Sequence, residues 1–271
     1  DVSSVSELVS RWMNGVSSAG ADLGVLLSSL GGASDVPTVQ NLVLVSDISR
    51  FVFCFGANTL GTAVQDPMLI RWSDQESAVD WTPSATNQAG SLRLSRGSEI
   101  IAATQSRQAV SIWTDTAMYN LGYVSGGIVW GAQLIGENIS IASPNAIARA
   151  NGVSYWMGKD KFYMYDGRLQ TLKCDLLRYV FNDFNLQQMD QVFAGTNEAH
   201  HEIWWFYCSA DSTAVDRYVI YNQQDKIWYY GTMARTAWLD SGMRELPVAA
   251  TYTYNLVNHE AGLDDNETGT A

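Results

Sequence analysis

The sequence predicts an all-β fold, and two observations carry that prediction. A short phrase occurs three times, as Val-Ser-Ile-Trp at 110–113, Val-Ser-Tyr-Trp at 153–156 and, less closely, Glu-Ile-Trp-Trp at 202–205. Each phrase is followed by a second aromatic segment, such as Phe-Tyr-Met-Tyr at 162–165. A repeat of about 40–50 residues built from short aromatic strands is typical of propeller blades. The predicted fold class is therefore a β-propeller-like array of short antiparallel blades.

The composition agrees with a chain of packed aromatic strands. Of the 271 residues, 46% are hydrophobic and 11% are aromatic, and aromatic side chains suit a pleated, half-buried surface. Charged residues make up 16%, against about 25% in typical soluble domains. A surface so poor in charge is either rich in Ser, Thr, Asn and Gln or buried against other subunits, and the composition leaves both open.

Residues 1–40 differ from the rest and are predicted to form an N-terminal helical segment and connector, separate from a propeller domain at 41–271. The apolar residues at helical spacing are Val5, Leu8, Val9, Trp12, Met13 and Val16. Several glycines interrupt the sequence that follows them. The alternative is a first blade too diverged to recognise.

The strands of the domain follow in order. Residues 41–45 and 50–55 are predicted to pair around a turn, 68–72 is another strand, and 73–90 is a long loop. The first clear blade has predicted strands at 99–104, 109–114, 117–123 and 128–134. The second has predicted strands at 146–150, 153–157, 161–165 and 169–172. Asn-Gly and Asp-Gly pairs mark turns of this second blade, since both favour tight hairpins.

An inserted helix is predicted near 175–190, between the second and third clear blades, with Asp175 as its N-cap. The apolar residues at helical spacing are Leu176, Leu177, Val180, Phe181 and Phe184.

The third clear blade has predicted strands at 191–196, 202–208, 216–221 and 227–230, and a further blade begins with 247–254 and 256–260. The sequence ends within that incomplete last blade, and an open propeller would expose sheet edges. The missing strands are therefore expected from sequence beyond residue 271 or from a neighbouring subunit. The start at Asp1 likewise predicts a piece of a longer protein.

The formal charge of −12 argues against nucleic-acid binding through clustered Lys and Arg. An acidic wall can instead let DNA pass without adhering to it. Cys54, Cys174 and Cys208 are odd in number and form no C-x-x-C pair, so neither a disulfide framework nor a zinc site is predicted, and synthesis in a reducing compartment is expected. No signal-peptide pattern and no run of about 18 apolar residues occurs, so no membrane span is expected.

The sequence contains no G-x-S-x-G, G-x-G-x-x-G, P-loop or H-E-x-x-H motif. His200, His201 and Glu202 are consecutive, so a strand would direct neighbours to opposite faces. They are interpreted as a polar loop tip, as are His259 and Glu260. No catalytic residue, cofactor site or metal ligand is therefore assigned, and the chain is not expected to be an enzyme.

One pair of segments supports a different hypothesis. Trp-Ser-Asp at 72–74 and Asp-Trp-Thr at 80–82 resemble the Asp-box turn of sialidase propellers, although the usual spacing and Gly are missing. Sialidase chemistry would also need a cluster of arginines for the substrate carboxylate. The candidate arginines are Arg50, Arg71, Arg93, Arg96, Arg107 and Arg149. A glycan-cleaving propeller therefore stays an alternative.

Six segments carry a broader resemblance. They are Arg-Phe-Val-Phe-Cys-Phe-Gly at 50–56, Arg-Trp-Ser-Asp at 71–74, Trp-Thr-Pro at 81–83, Ala-Thr-Asn-Gln-Ala-Gly at 85–90, Gly-Ser-Glu-Ile-Ile at 97–101 and Lys-Phe-Tyr-Met-Tyr-Asp-Gly at 161–167. Over roughly residues 41–260 the pattern resembles virion structural proteins of short-tailed bacteriophages. The similar proteins are the propeller-bearing tail hub or nozzle proteins, including the packaged-DNA stabilisation and head-completion type.

The resemblance implies a ring of six copies that continues the portal channel, retains packaged DNA and lets it pass at ejection. The implied partners are further copies of the chain, the portal or adaptor, other tail proteins, and DNA that passes without sequence-specific binding. The implied location is the virion tail, after synthesis in the host cytoplasm. The candidate contact loops are 73–90 and 234–245. The alternatives are the receptor-binding propeller of a tail fibre or spike and a cellular scaffold propeller that binds peptides.

Overall fold

The computed structural model describes residues 29–46, 49–106, 109–124, 129–240 and 244–261. This part of the chain is almost entirely β, with nineteen strands in five antiparallel sheets, four of them four-stranded and one three-stranded. Within each sheet the strands follow one another in chain order, as in propeller blades. The predicted fold class, a β-propeller-like array of short antiparallel blades with an inserted helix, is confirmed. The chain divides into two compact units, Asp1–Ile139 and Ser140–Ala271.

The first sheet of unit 1 has one strand more than the sequence predicts. Its strands are β1 (Leu42–Val45), β2 (Val52–Phe55), β3 (Leu69–Trp72) and β4 (Gly90–Arg93). The first three confirm the predicted strands, but β4 begins at the last residue of the predicted loop and continues through residues for which no strand is predicted. Its residues alternate between half-buried and exposed, so they carry little hydrophobic signal. Gly90 is required by packing, because a Cβ there would lie 2.6 Å from Cζ2 of Trp72.

The second sheet of unit 1 confirms the first clear blade. Its strands are β5 (Ile100–Gln105), β6 (Ala109–Thr114), β7 (Ala117–Tyr123) and β8 (Trp130–Glu137). It shares one hydrophobic core with the first sheet. In that core Trp130 of β8 packs edge-on against Phe53 of β2, with ring centroids 4.9 Å apart. Such aromatic pairs stabilise packing by about 0.5–1.5 kcal/mol beyond their buried area.

Two sheets of unit 2 confirm the second and third clear blades. The first contains β9 (Ile147–Ala150), β10 (Val153–Met157), β11 (Phe162–Tyr165) and β12 (Leu169–Leu172). The second contains β13 (Phe193–Asn197), β14 (Glu202–Tyr207), β15 (Arg217–Asn222) and β16 (Trp228–Thr232). Within each sheet, hydrogen-bonded neighbours are successive in the chain, which makes each sheet a simple meander.

The tryptophans that end the repeated phrases are packing residues. Trp113, Trp156 and Trp205 are completely buried. Trp205 donates its indole N–H to the carbonyl oxygen of Ala146 at 3.0 Å. This bond ties β14 to the residue directly before β9. Fully buried aromatic side chains contribute large apolar burial, so the phrase marks the core of each blade.

The inserted helix is shorter than predicted. Helix α1 spans Leu177–Asp183, and a 3₁₀ segment follows at Leu186–Gln191. The predicted N-cap, Asp175, is wrong: Leu176 holds the cap position, with no side-chain hydrogen bond. The break between the two helical segments falls at Phe184, whose backbone is extended. The helix is held by packing instead, since Val180 and Phe184 are buried.

The last sheet contains β17 (Ala237–Leu239), β18 (Val248–Ala250) and β19 (Leu256–Asn258). The predicted strands around 247–254 and 256–260 correspond to β18 and β19. Strand β17 lies inside the segment 234–245, which is predicted to be a strand-poor loop. The sequence does not reveal this strand, because its three residues carry no alternating pattern.

The helix predicted within residues 1–40 lies outside the described residues. From residue 29 onward this segment has irregular structure and is attached to the first sheet. Asp35 accepts a hydrogen bond from Nη2 of the buried Arg71 at 2.7 Å. Among the described residues no helix is both long and apolar enough for a membrane crossing.

Candidate functional site

The predicted contact loop at 73–90 is built around one carboxylate. Asp80 Oδ1 accepts a hydrogen bond from the Ser34 hydroxyl at 2.9 Å, and Oδ2 accepts one from the Asn87 amide at 3.0 Å. The Asn87 bond, followed by the Ser34 bond, lowers the pKa of Asp80 below its ordinary value of 3.8. Asp80 is therefore charged at neutral pH and connects both halves of the loop to the N-terminal segment.

The same loop has a buried base and an uncharged tip. Trp81 is 1% exposed, and its indole N–H bonds the carbonyl oxygen of Ala78 at 2.8 Å. It packs against Val52 and Cys54 on β2. The tip at 82–86, Thr-Pro-Ser-Ala-Thr, is exposed throughout. A tip without charge on an anchored base can contact another protein without the cost of burying an unpaired charge.

A second exposed loop, at residues 57–66 between β2 and β3, is one that sequence reasoning misses. Leu60 and Val64 are 49% and 71% exposed. Asn58 is buried beneath them; its Oδ1 accepts from the backbone N–H of Thr38 at 2.9 Å, and its Nδ2 donates to Thr62 O at 2.6 Å. The available signal is Leu60 and Val64 standing in a Gly- and Thr-containing turn region.

The other predicted contact loop, 234–245, is partly internal, and its residues 241–243 lie outside the described part. Arg235 is 4% exposed and donates its Nε–H to Nε2 of His259 at 3.0 Å. This bond joins the residues flanking β17 and β19. His259 therefore has a structural contact here, and its ring also lies 4.6 Å from that of Trp238.

Four of the candidate sialidase-type arginines pair with four different carboxylates. The pairs are Arg50 with Glu76, Arg71 with Asp35 at 2.7 Å, Arg93 with Asp66 at 2.6 Å, and Arg96 with Glu137 at 2.8 Å. Arg149 belongs to β9 in the other unit, and Arg107 lies outside the described residues. Each of these four guanidinium groups is thus already paired with its own carboxylate.

His200 and His201 lie between β13 and β14, and Glu202 is the first residue of β14. Glu202 accepts the indole N–H of Trp204 at 3.0 Å and the amide of Asn197 at 3.2 Å. His200 is exposed, and its Nε2 lies 3.8 Å from Glu260. In the described ranges, no group of three or more His, Cys, Asp or Glu side chains is arranged to hold a metal ion.

A pocket that the sequence does not predict lies on unit 2. It has a volume of about 480 Å³ and is lined by Arg178, Tyr179, Asn182, Asp183 and Arg217. The first four belong to α1, and the fifth belongs to β15. Arg217 is held in place, since its Nε lies 3.3 Å from Asp183 and its Nη1 lies 3.1 Å from Asp216. The sequence signal was the polar face of α1, opposite the apolar spacing.

An aromatic pair includes one residue of the pocket lining, Tyr179. Tyr179 and Tyr230 are 46% and 50% exposed, and their ring centroids lie 4.3 Å apart at an interplanar angle of 49°. The buried Tyr207 is also close by. Its hydroxyl has no hydrogen-bond partner among the described residues. Burial, followed by the nearby Asp183 and Tyr179, raises the pKa of Tyr207, so the hydroxyl keeps its proton.

Comparison with known proteins gives no family. No family model matches the chain, and no curated protein matches it. Among solved structures, a Bacteroides fragilis protein described as exported has a TM-score of 0.39 at 7% identity, with 79% of this chain and 66% of that chain covered. The chain thus spans just under two thirds of that protein. The N-terminal domain of Nup159 has a TM-score of 0.33 at 10% identity, with coverage of 84% and 76%. At these values the likenesses carry no functional information.

Proposed function

We propose that this chain is a non-catalytic structural protein of a short-tailed phage tail, a hub or nozzle that forms a ring of six copies. In this role it continues the portal channel, retains packaged DNA and lets it pass at ejection. The supporting observation is the placement of the segments that carry the resemblance. The segments at 50–56 and 161–167 contain β2 and β11, and 71–74 closes β3. The resemblance therefore follows the framework of the sheets.

The charge of the chain supports this role. The formal charge is −12, and only 16% of the residues are charged. Phosphate binding by counterion release needs clustered Lys and Arg. Four arginines of unit 1 are each neutralised by a carboxylate. Such a chain suits a passage through which DNA moves without adhering.

The loops support contacts with other tail proteins. The tip at 82–86 is exposed and uncharged on a base fixed by Trp81. The loop at 57–66 exposes Leu60 and Val64 above the buried Asn58. Anchored loops lose little conformational entropy on binding, so these two are the proposed contacts with the portal or adaptor.

The test is the location and assembly state of the full chain. Antibody labelling of purified virions should mark the tail, and electron microscopy of the isolated assembly should show a six-fold ring with a central channel. A double variant, Leu60→Ser with Val64→Ser, should weaken attachment to the portal complex. The exposed Val39→Ser is its control. Virions without label, or a chain that stays monomeric with and without the portal complex, would overturn the proposal.

The receptor-binding alternative is favoured by one observation, the exposed pair Tyr179 and Tyr230 beside a pocket. A binding propeller would place such a pair against a host-surface ligand. An activity assay on a panel of chromogenic glycosides distinguishes the glycan-cleaving alternative from the two binding roles. Turnover that disappears on replacing one carboxylate would favour it over both binding roles.

A further inference from the structure

The pocket on unit 2 has the features of a binding site. Its volume of about 480 Å³ falls within the usual range for ligand pockets, about 300–1,000 Å³. Arg178 is exposed and forms no hydrogen bond or ion pair with another described residue. An Arg side chain with no carboxylate partner at a pocket wall can donate charge-assisted hydrogen bonds to an anion.

Arg217 adds a second, fixed donor. Its Nε and Nη1 are engaged by Asp183 and Asp216, and its Nη2 has no partner among the described residues. A guanidinium carries five N–H donors in a rigid fork, so Nη2 can bind a ligand oxygen without reorganisation. Two carboxylates beside two guanidinium groups leave the site without net charge.

The equal number of carboxylates and guanidinium groups determines which ligand charge the pocket favours. A phosphate dianion would face Asp183 and Asp216 at close range, and like charges at short distance are unfavourable. A single carboxylate can bind Arg178, whereas Arg217 is already paired with Asp183 and Asp216. Asp183 accepts hydrogen bonds only, and Asn182 both donates and accepts. The wall therefore matches a ligand that carries hydroxyl donors as well as one negative charge.

The aromatic pair Tyr179 and Tyr230 indicates which kind of molecule carries the carboxylate and the hydroxyl groups. Tyr179 and Tyr230 are half-exposed, with their rings tilted by 49°. The two rings contact each other, with centroids 4.3 Å apart, so a ligand packs on their outer surface and not between them. That non-planar apolar surface suits the puckered C–H face of a pyranose ring better than a flat base.

We propose that this pocket binds a uronic-acid residue of an acidic polysaccharide, with the sugar carboxylate on Arg178, its hydroxyls on Asn182 and Asp183, and its ring on Tyr179 and Tyr230. The inference goes beyond the tail role and does not depend on it, since the pocket lies within one unit of one chain. A ring could exist without this site, and the site could exist without a ring.

The test is titration of the full chain with tri-galacturonic acid, followed by calorimetry. Saturable binding is expected, with maltotriose at least about tenfold weaker because the bond to a charged group is lost. Arg178→Gln and Tyr179→Ala should each weaken binding by about tenfold or more. Arg168→Gln, an exposed arginine in the turn between β11 and β12, should leave it unchanged. Circular dichroism confirms that each variant is folded.

Four outcomes would overturn the proposal. They are no saturable binding, binding that Arg178→Gln leaves intact, displacement of the sugar by inorganic phosphate, and equal affinity for tri-glutamate. The last outcome would instead indicate an acidic-peptide site. All four are independent of whether the chain forms rings on virions, so failure here and failure of the tail role are distinguishable.

Discussion

Trp238 donates its indole N–H to the carbonyl oxygen of Thr196 at 2.7 Å, and the same ring covers Gly195 on β13. Trp238 also stacks on Trp204, with centroids 4.9 Å apart. The ring is therefore fixed from two sides and cannot move away from β13. A Cβ at position 195 would collide with Cδ1 of this ring.

Gly195→Ala should consequently destabilise the protein. Overpacking of this kind costs about 1–3 kcal/mol, and urea unfolding followed by tryptophan fluorescence measures it. Gly122→Ala is the matched control, because Gly122 also lies in a strand and a Cβ there meets nothing within 4 Å. Equal unfolding midpoints for the two variants would contradict the packing of Trp238 on Gly195.

The ion pair between Arg71 and Asp35 gives a second prediction. Arg71 is 1% exposed, and Asp35 is its only carboxylate partner within the described ranges. Asp35→Ala leaves a buried guanidinium uncompensated, which costs about 3–5 kcal/mol. Glu76→Ala breaks the exposed Arg50 pair and should cost at most about 1 kcal/mol. Chemical unfolding distinguishes the two, and similar losses would contradict the burial of Arg71.

Thiol reactivity gives a third prediction. Burial raises the pKa of Cys54 to about 12 and the pKa values of Cys174 and Cys208 to about 11. The thiolate is the reactive form, so all three should react slowly with Ellman's reagent at neutral pH. In urea the three thiols should react quickly. A rapid native reaction of any one, identified by mass spectrometry, would contradict its environment.

The sequence predicts the blades well where both faces of a strand are buried. The tryptophans at 113, 156 and 205 are completely buried, and the strands around them lie where the aromatic phrases indicate. Strands β4 and β17 escape prediction because each is short and partly exposed. Their pairing depends on neighbours that are distant in the chain, such as Trp72 over Gly90, and local pattern cannot reveal it.

The pocket was beyond prediction for a related reason. Its residues come from α1 and β15, which are separated in the chain by two 3₁₀ segments and two strands. The helix itself is visible from the spacing of Val180 and Phe184. Nothing in the sequence states that Arg217 lies beside its polar face. The anchoring of the loop at 73–90 is likewise invisible to local pattern, since the hydrogen bond from Ser34 to Asp80 joins two segments that are distant in the chain.

Asp80 gives the final prediction, a pH-dependent one. The bond from Asn87, and after it the bond from Ser34, holds the pKa of Asp80 below 3.8 in the folded state. A carboxyl whose folded pKa is depressed contributes stability that is present above its unfolded pKa. That contribution is lost as the pH falls through the folded pKa. Asn87→Ala should therefore lower the thermal midpoint at neutral pH and lose this effect in acid.

The measurement is thermal unfolding of wild type and variant from pH 7 to about pH 2.5, with the two midpoints converging below pH 3.8. Carboxyl NMR should show the pKa of Asp80 moving up toward 3.8 in the variant. Asn255→Ala is the control, because its exposed amide donates to the Thr253 hydroxyl and not to a carboxylate. Its offset should not vary with pH. If the difference in thermal midpoint between wild type and Asn87→Ala did not change with pH, the stabilisation by Asn87 would not depend on the charge of Asp80, and the prediction would be wrong.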